Sequence, residues 1–225
     1  MPYYQSTYHS RVYRDFKAID SAAYRQIIHF YEKQEASIQG LDFEERFDML
    51  SAYVDALFEI GSYQKHLLLV DYVIESAILQ NIQSYKGKDI YFNMLFRKAA
   101  SLYNLVEYDS AVRILRELVK IDPWNKDAVS FLKKCMRKKQ PRLLQYSKAA
   151  SILLFLLAAF VIGIEVLFIH PFYNQLVPLV ERSWMLTLLF GIILLVIGDL
   201  VHRLHVERQV HQFTTKIKHQ KERCR

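Results

Sequence analysis

The sequence predicts an all-α protein in which a domain of helical hairpins is followed by a hairpin of two apolar helices. Glycine and proline are scarce among the 225 residues, with 6 and 5 copies, so few tight turns or strand hairpins are available. Hydrophobic residues make up 52% of the chain and are unevenly spread, with two long apolar stretches in its C-terminal half. A third observation is a helix–turn–helix pattern over residues 92–125.

The two apolar stretches are long enough to cross a bilayer. Ala149–Ile169 has 21 residues, of which 14 are Leu, Ile, Phe or Val, and a second stretch covers residues 183–201. A helix of about 20 residues spans ~30 Å of hydrocarbon. We therefore expect transmembrane helices at 149–169 and 183–203, rather than two core helices of a soluble protein, because residues 1–140 have too little apolar surface to cover both.

The basic residues predict the orientation of these helices. Residues 133–148 carry seven Lys or Arg and no acid, and residues 203–225 carry seven against two glutamates. The link at 170–182, an expected external loop, carries one. The positive-inside rule then places both termini, including the basic tail at 204–225, in the cytoplasm. The N-terminus shows no charged region followed by an apolar run, so no signal peptide is expected.

The net charge of +7 does not indicate a nucleic-acid partner. Residues 1–132 carry 15 Lys or Arg and 18 Asp or Glu, a net charge of −3, so the basic excess flanks the apolar stretches instead. A nucleic-acid-binding protein more often has a basic face on its folded domain. The expected partners are the lipid bilayer and an unidentified protein.

Two acids lie within the apolar stretches, Glu165 and Asp199. Their offset of about ten residues, ~15 Å along a helix, prevents them from pairing. Asp199 has a closer partner in Arg203, four residues on. We interpret both acids as interfacial, with a proton or ion path as the alternative.

Glycines in the second stretch permit close packing of helices. Gly191 and Gly198 are seven residues apart and share one helix face, and Gly163 lies in the first stretch. The pattern leaves two alternatives open, which are packing within the hairpin and self-association of the chain.

In the segment 92–125, small residues, a tyrosine and a proline stand at positions that indicate two antiparallel helices joined by a turn. Ala99 and Ala111 would let two antiparallel helices approach closely, Tyr108 would open the second helix, and Pro123 would end it. This pattern resembles a tetratricopeptide repeat, although Val106 stands where that family usually has a turn glycine.

A degenerate copy of this unit covers roughly residues 47–81. Gly61 and Tyr63 match the turn and the opening of the second helix, but His66 occupies the position of the small residue. The resemblance predicts a repeat-like domain over residues 20–140. The first 19 residues, which hold four tyrosines among polar residues, are expected to form a disordered or loosely packed N-terminal arm.

The resemblance implies a protein-binding groove on the first helix of each unit. Phe58, Phe96 and Tyr103 could equally fill the core between helices, and the polar residues could be ordinary surface. By position, the groove would contain Asp55, Glu59, Asn93, Phe96, Ala100, Tyr103 and Asn104.

Catalytic and ligand-binding motifs are absent from the sequence. It has no glycine-rich phosphate loop, no GxSxG, no HExxH and no paired-cysteine zinc site. His202 and His205 are three residues apart but lack an evident third ligand. We therefore expect no enzyme activity, no cofactor and no metal.

The tail carries an amphipathic stripe of Val206, Val210, Phe213 and Ile217. The stripe is expected either to lie on an anionic membrane surface or to pair with another helix. With the other features it favours a membrane-anchored interaction or scaffold module. The alternative is an accessory subunit of a membrane transport or secretion assembly that packs through its hairpin.

Overall fold

The computed structural model describes residues 10–85, 87–139, 142–169 and 177–223, of which 85% are helical. The predicted all-α class is confirmed. The chain divides into two compact units, the N-terminal unit (Met1–Leu132) and the C-terminal unit (Lys133–Arg225), and this boundary lies inside a helix, not at the predicted residue 140.

The N-terminal unit is a succession of short and long helices with one small strand ladder. Its helices are α1 (Arg11–Lys17), α2 (Tyr24–Lys33), α3 (Glu35–Gln39), α4 (Phe43–Glu59), α5 (Tyr63–Leu79), α6 (Ile90–Asn104), α7 (Tyr108–Ile121) and the first half of α8 (Lys126–Lys138). Strands β1 (Ser84–Tyr85) and β2 (Lys88–Asp89) pair antiparallel between α5 and α6, around Gly87 at φ +73°.

The prediction of a loose arm over residues 1–19 is wrong for residues 10–19, and residues 1–9 lie outside the described part of the chain. Ser10 begins α1 by accepting a hydrogen bond from the backbone N–H of Tyr13 (3.1 Å), which is an ordinary helix cap. Phe16 is buried in a cluster with residues of α2, α3 and α4. The described part of the arm therefore belongs to the folded unit.

The two helical hairpins, α4/α5 and α6/α7, turn in the same way. Gly61 and Val106 each follow a helix C-terminus in the left-handed region, at φ +80° and +67°. In both turns the next N–H reaches back five residues to a helix carbonyl, which is the Schellman arrangement. These bonds are Ser62 N to Leu57 O and Glu107 N to Leu102 O, both 2.9 Å.

Ring contacts repeat between the hairpins with the same offset of 45 residues. Phe58 meets Tyr63 edge-on with centroids 5.9 Å apart, and Tyr103 meets Tyr108 edge-on at 5.4 Å. In each case the last turn of the first helix packs on the opening residue of the second. The core continues between the hairpins through Val54, Leu57, Val70, Val73 and Met94, all buried.

The C-terminal unit contains the last turns of α8 and an antiparallel helix pair. α9 (Arg142–Ile164) continues into a π-helical segment (Glu165–Ile169), and α10 covers Val177–Arg223. Both are long and apolar enough, by length and composition, to cross a membrane. The predicted loop at 170–182 is wrong for residues 177–182, which are the first turns of α10, and residues 170–176 lie outside the described part of the chain.

The glycines of α10 pack within the hairpin. A Cβ added to Gly191 would come within 2.7 Å of the Phe155 ring, and one added to Gly198 within 2.5 Å of Ser147 Oγ. Of the two alternatives for these glycines, the structure therefore shows packing within the hairpin. Around Gly163 no described atom lies within 4 Å of the corresponding position.

This register separates the two acids of the apolar stretches. Asp199 lies level with Ser147, whereas Glu165 lies 18 residues further along the first helix, about 27 Å away along the axis. The expectation that they cannot pair is thus confirmed, with a larger offset than the sequence indicated. Asp199 instead forms an ion pair with Arg203, whose Nε lies 2.8 Å from Asp199 Oδ2, as predicted.

Residues 204–223 of the tail continue α10, so no structural break separates them from a span ending at 203, and residues 224 and 225 lie outside the described part of the chain. Val206 and Val210 of the predicted stripe are buried, and Phe213 and Ile217 are half-buried. The neighbouring face of α10 meets the end of α8: Lys133 lies 3.6 Å from Glu207, and His202 donates to the Arg137 carbonyl oxygen at 3.3 Å. The structure therefore favours helix pairing over a membrane-surface position for this stripe.

Candidate interaction surface

Helix α6 borders two clefts of the N-terminal unit, and four of the seven predicted groove residues line them. The first cleft, of about 500 Å³, holds Asp55 and Glu59, and the second, of about 320 Å³, holds Asn93 and Phe96. The first is lined by Phe16, Lys17, Ile19, Ser21, Tyr24, Ile27, Ala52, Asp55, Ala56, Glu59 and Arg97, and the second by Asp89, Phe92, Asn93, Phe96, Asn125 and Asp127.

An ion triad forms the polar wall of the first cleft. The Arg97 Nη1 atom lies 3.5 Å from Asp55 Oδ1 and 3.1 Å from Glu59 Oε1. The guanidinium also sits over the Phe58 ring, 5.0 Å from its centroid, which adds a cation–π attraction. Because two carboxylates share one guanidinium, the triad carries a net charge of −1.

The Asp48 carboxylate holds helix α1 in place beside this cleft. Asp48 accepts hydrogen bonds from Tyr13 Oη (2.8 Å) and Tyr85 Oη (2.6 Å), and Lys17 Nζ lies 2.6 Å away. Burial alone would raise the pKa of Asp48, but the bonds from Lys17, Tyr85 and Tyr13 outweigh burial, so the pKa lies below its ordinary value. Asp48 thereby matches the charge of Lys17 in the first cleft.

The second cleft combines aromatic rings with carboxylates and amides. Asp89 caps α6 by accepting from the Phe92 N–H at 2.9 Å, and Asn125 Oδ1 accepts from the N–H groups of Asp127 and Ala128 at 3.1 Å. Asp127 follows in the first turn of α8 with an exposed side chain. No Lys or Arg is among the described lining residues.

The other predicted groove residues lie outside both clefts. Tyr103 packs edge-on against Phe131 of α8 at 5.5 Å, as well as against Tyr108. Ala100 is half-buried, and Asn104 is an exposed residue at the end of α6. Phe131 also touches Phe96 at 5.4 Å, so α8 covers the middle of the expected groove.

The four residues expected to define the repeat lie at the helix contacts of the second hairpin. Ala99 of α6 and Ala111 of α7 are completely buried, which allows the two backbones to approach closely. Tyr108 begins α7, and Pro123 is buried between α7 and α8.

In the first hairpin, His66 takes the place that Ala111 has in the second. It is completely buried, with Nδ1 2.9 Å from Ser101 Oγ and its ring 5.5 Å from the Phe58 ring. Burial, followed by the charge of Arg97, lowers the pKa of His66 to about 4. The imidazole is therefore neutral at physiological pH and serves as a packing group.

Arg97 and Lys17 were not predicted as part of the surface. The acids at 55 and 59 are four residues apart on one helix face, a spacing that calls for a cation on the neighbouring helix and could have pointed to Arg97. Nothing in the sequence indicates Lys17, because its contact with Asp48 joins residues 31 apart. Within the described ranges no group of three or more His, Cys, Asp or Glu is arranged to hold a metal ion.

Comparison with known proteins adds no relative to this picture: no family model, no curated protein sequence and no solved structure matches the chain.

Proposed function

We propose that this chain is a membrane-anchored interaction module in which the N-terminal unit, a tetratricopeptide-like stack, binds a protein at the cytoplasmic face of a membrane. The observation that carries the proposal is the pair of clefts on either side of α6, in a unit joined by one chain to an apolar hairpin. Rigid helical scaffolds that present clefts are well suited to hold a partner segment.

Anchoring in a bilayer is supported by the exposure of large apolar side chains on α9 and α10. Leu156 is 68% exposed, Phe160 69% and Phe190 57%. In water each such side chain would cost about 25 cal/mol for every Å² exposed, whereas hydrocarbon removes this cost. The basic residues on both outer flanks support cytoplasmic termini.

The repeat-like character is supported by the equivalence of the two hairpins. Their turns share the left-handed residue, the five-residue hydrogen bond and the edge-on ring pair at a constant offset of 45 residues. Stacked units of this kind mostly serve as protein-binding surfaces, and we extend that role to this chain.

The anchor is tested by alkaline carbonate extraction of membranes that contain the full chain. We expect the protein to stay in the pellet, and release into the supernatant would contradict a bilayer span. Orientation is tested with Gln5→Cys and Gln175→Cys in a Cys135→Ala/Cys224→Ser background, labelled by an impermeant maleimide from outside the cell. Only position 175 is expected to react, and labelling of position 5 alone would mean the opposite orientation.

The interaction role is tested by photocrosslinking in native membranes. A photoreactive residue at position 93 lies in the second cleft, one at position 24 lies beside the first, and the matched control is position 68 on α5. Leu68 is 78% exposed and lines neither cleft. We expect the same protein to be captured from 24 and 93 and not from 68.

A cleft-filling substitution provides the second arm of this test. Asn93→Trp places a bulky ring in the second cleft and is expected to abolish recovery of the partner, whereas Leu68→Trp is expected to leave it unchanged. Equal recovery from both variants would exclude the clefts as the binding surface.

The alternative of an accessory subunit in a membrane assembly has less support, because Gly191 and Gly198 contact α9 within the hairpin. Purification of the full chain in a mild detergent distinguishes the two functions. Co-purification of membrane subunits that survives Asn93→Trp would favour the accessory subunit.

A further inference from the structure

The chemistry of the two clefts says what kind of segment the N-terminal unit accepts. We propose, on the basis of the interaction role above, that the partner inserts lysine or arginine side chains into the clefts on both sides of α6. The partner is then an extended segment in which basic and apolar residues alternate or lie close together.

The first cleft has an excess of negative charge beside an apolar wall. The charged residues that line the cleft, Lys17, Arg97, Asp55 and Glu59, balance. Because Lys17 is matched by Asp48 outside the lining and Arg97 is shared by two acids, one carboxylate charge remains for an incoming cation. Glu59 is its more accessible carrier, with 37% of the side chain exposed against 22% for Asp55. The apolar part of the wall consists of Phe16, Ile19, Ile27, Ala52 and Ala56.

A long basic side chain fits this division. Lysine and arginine place their alkyl stems along apolar surface and keep the charged head at a polar rim. In the first cleft the stem would lie along Phe16 and Ile27, with the head at Glu59. A cation that joins a partly buried carboxylate gains more than one at an open surface, because solvent screens it less.

The second cleft also favours a lysine or arginine side chain, but through different residues. Asp89 and Asp127 contribute two carboxylates, and the half-buried rings of Phe92 and Phe96 form the apolar part. A cation over a phenylalanine face is attracted by the ring quadrupole, which an anion is not. The amide of Asn93, half-buried in the same cleft, can accept a hydrogen bond from the incoming group.

The two clefts are neighbours along one helix. Asn93 and Arg97 are one turn apart on α6, so residues about two or three positions apart in an extended segment reach from one cleft to the other. Both cations of α6 itself are already paired: Arg97 with the two acids of α4, and Lys98 with Asp71 at 2.6 Å. An acidic segment would meet net negative charge in both clefts.

The test uses the full chain in zwitterionic nanodiscs and a fluorescein-labelled peptide in which two arginines are separated by alanine and leucine. Two matched peptides replace both arginines by citrulline, which keeps the shape and removes the charge, or by glutamate. Fluorescence anisotropy at low salt measures Kd. We expect the arginine peptide to bind at least tenfold more tightly than the citrulline peptide, and the glutamate peptide to bind most weakly.

Variants of the chain locate the binding. Glu59→Gln leaves Asp55 on Arg97 and makes the first cleft neutral, and Asp127→Asn removes one charge from the second. The double variant is expected to weaken binding of the arginine peptide about tenfold or more. Glu75→Gln, an exposed acid on α5 outside both clefts, is the control and is expected to leave Kd unchanged.

Each other result overturns the proposal. Tighter binding of the glutamate peptide would mean that Arg97 forms an anion site. Equal binding of the three peptides, or no binding of any, would exclude a charge-selective cleft. Loss of affinity that is the same in Glu75→Gln and in the double variant would place the peptide elsewhere on the acidic surface.

Failure here is distinguishable from failure of the proposed function. If photocrosslinking captures a partner through positions 24 and 93 while the arginine peptide does not bind, the module stands and the basic segment is wrong. If neither position captures a partner, the interaction role itself fails.

Discussion

The two helical hairpins of the N-terminal unit share a backbone and differ in the residues that make it. The first, α4/α5, turns at Gly61 and fills the space behind the turn with His66, whereas the second, α6/α7, turns at Val106 and leaves that space to Ala111. Both turns have the same five-residue hydrogen bond of 2.9 Å. Two chain segments can therefore keep one geometry while one has an unfavourable residue behind the turn and the other an unfavourable residue in it.

Each hairpin has one unfavourable residue of its own. The first has a favourable turn residue but must bury an imidazole, whose Nδ1 bonds to Ser101 of the next hairpin while Nε2 is buried without a hydrogen-bond partner among the described residues. The second has a favourable small residue but holds a β-branched side chain at φ +67°. Substitutions that exchange or remove these residues test the comparison, with stability measured on the full chain in detergent micelles by urea-induced unfolding of the N-terminal unit.

The largest effect is expected when the second hairpin receives the residue of the first. Ala111→His forces an imidazole into a completely buried site. The position that corresponds to Ser101 by the 45-residue offset, residue 146, belongs to the C-terminal unit. Overpacking and an unsatisfied polar group should together lower the free energy of unfolding by about 3–5 kcal/mol.

The control for this change is Arg113→His on the exposed face of α7, which is expected to change stability by less than about 0.5 kcal/mol. A loss below about 1 kcal/mol for Ala111→His would show that the second hairpin is not packed as tightly as its burial indicates.

The second effect is a pH dependence that belongs to the first hairpin. His66 has a folded pKa of about 4 and an unfolded value near 6.5, so below pH 6.5 the unfolded chain binds a proton that the folded chain does not. The stabilisation is complete above pH 6.5 and is lost as pH falls toward 4. Unfolding free energy should drop by about 3 kcal/mol across this range.

The comparison variant His66→Ala is less stable at pH 7 but should have a nearly flat profile between pH 6.5 and 5. The Asp48 carboxyl, whose pKa is lowered, stabilises above its unfolded value near 3.8 and loses this effect only at lower pH. An unchanged slope in His66→Ala would assign the pH dependence to other groups.

A third prediction tests the turn of the first hairpin. Gly61→Ala places a side chain at φ +80°, and the new Cβ would meet Tyr63 at an ordinary 3.9 Å, so the cost is conformational. We expect a loss of about 1–2 kcal/mol. Gly40→Ala, at φ −84°, is the matched control and should be neutral or slightly stabilising.

The smallest effect is expected from repairing the second turn. Val106→Gly relieves the left-handed strain, and since Val106 is 67% exposed, little apolar contact is lost. After the greater freedom of glycine in the unfolded chain is subtracted, a gain of about 0.5–1 kcal/mol should remain. Val106→Asn should also stabilise, because Asn81 occupies the corresponding position after α5 at φ +53°. Destabilisation by both substitutions would mean that Val106 has a packing role.

Local and long-range features differed in how well the sequence predicted them. The two apolar helices and the Asp199–Arg203 pair follow from composition and i,i+4 spacing, which depend little on the rest of the fold. The helical part of the N-terminal arm was missed, because α1 is fixed by contacts to Asp48, more than 30 residues away. The sequence also did not predict that the end of α8 contacts the tail part of α10, because these two segments are far apart in the chain.

The candidate surface was half predicted for the same reason. The resemblance to a helical repeat placed Asp55, Glu59, Asn93 and Phe96 in the expected groove, and these residues line the clefts. The ring contacts of Phe131 in α8 with Phe96 and Tyr103 are tertiary, and no pattern on a single helix indicates them. The proposed charge preference likewise required Arg97 and Lys17 to be placed in space.

Helix α10 runs without interruption from its apolar half into its basic half, so the rotation of one half about the helix axis fixes the rotation of the other. One residue inserted near position 201 would turn everything beyond it by about 100° and shift it by ~1.5 Å. Val206 and Val210 would then swing away from the side on which they are buried. A single insertion in the apolar stretch is therefore expected to disturb the packing of the basic half, because it rotates that half about the helix axis.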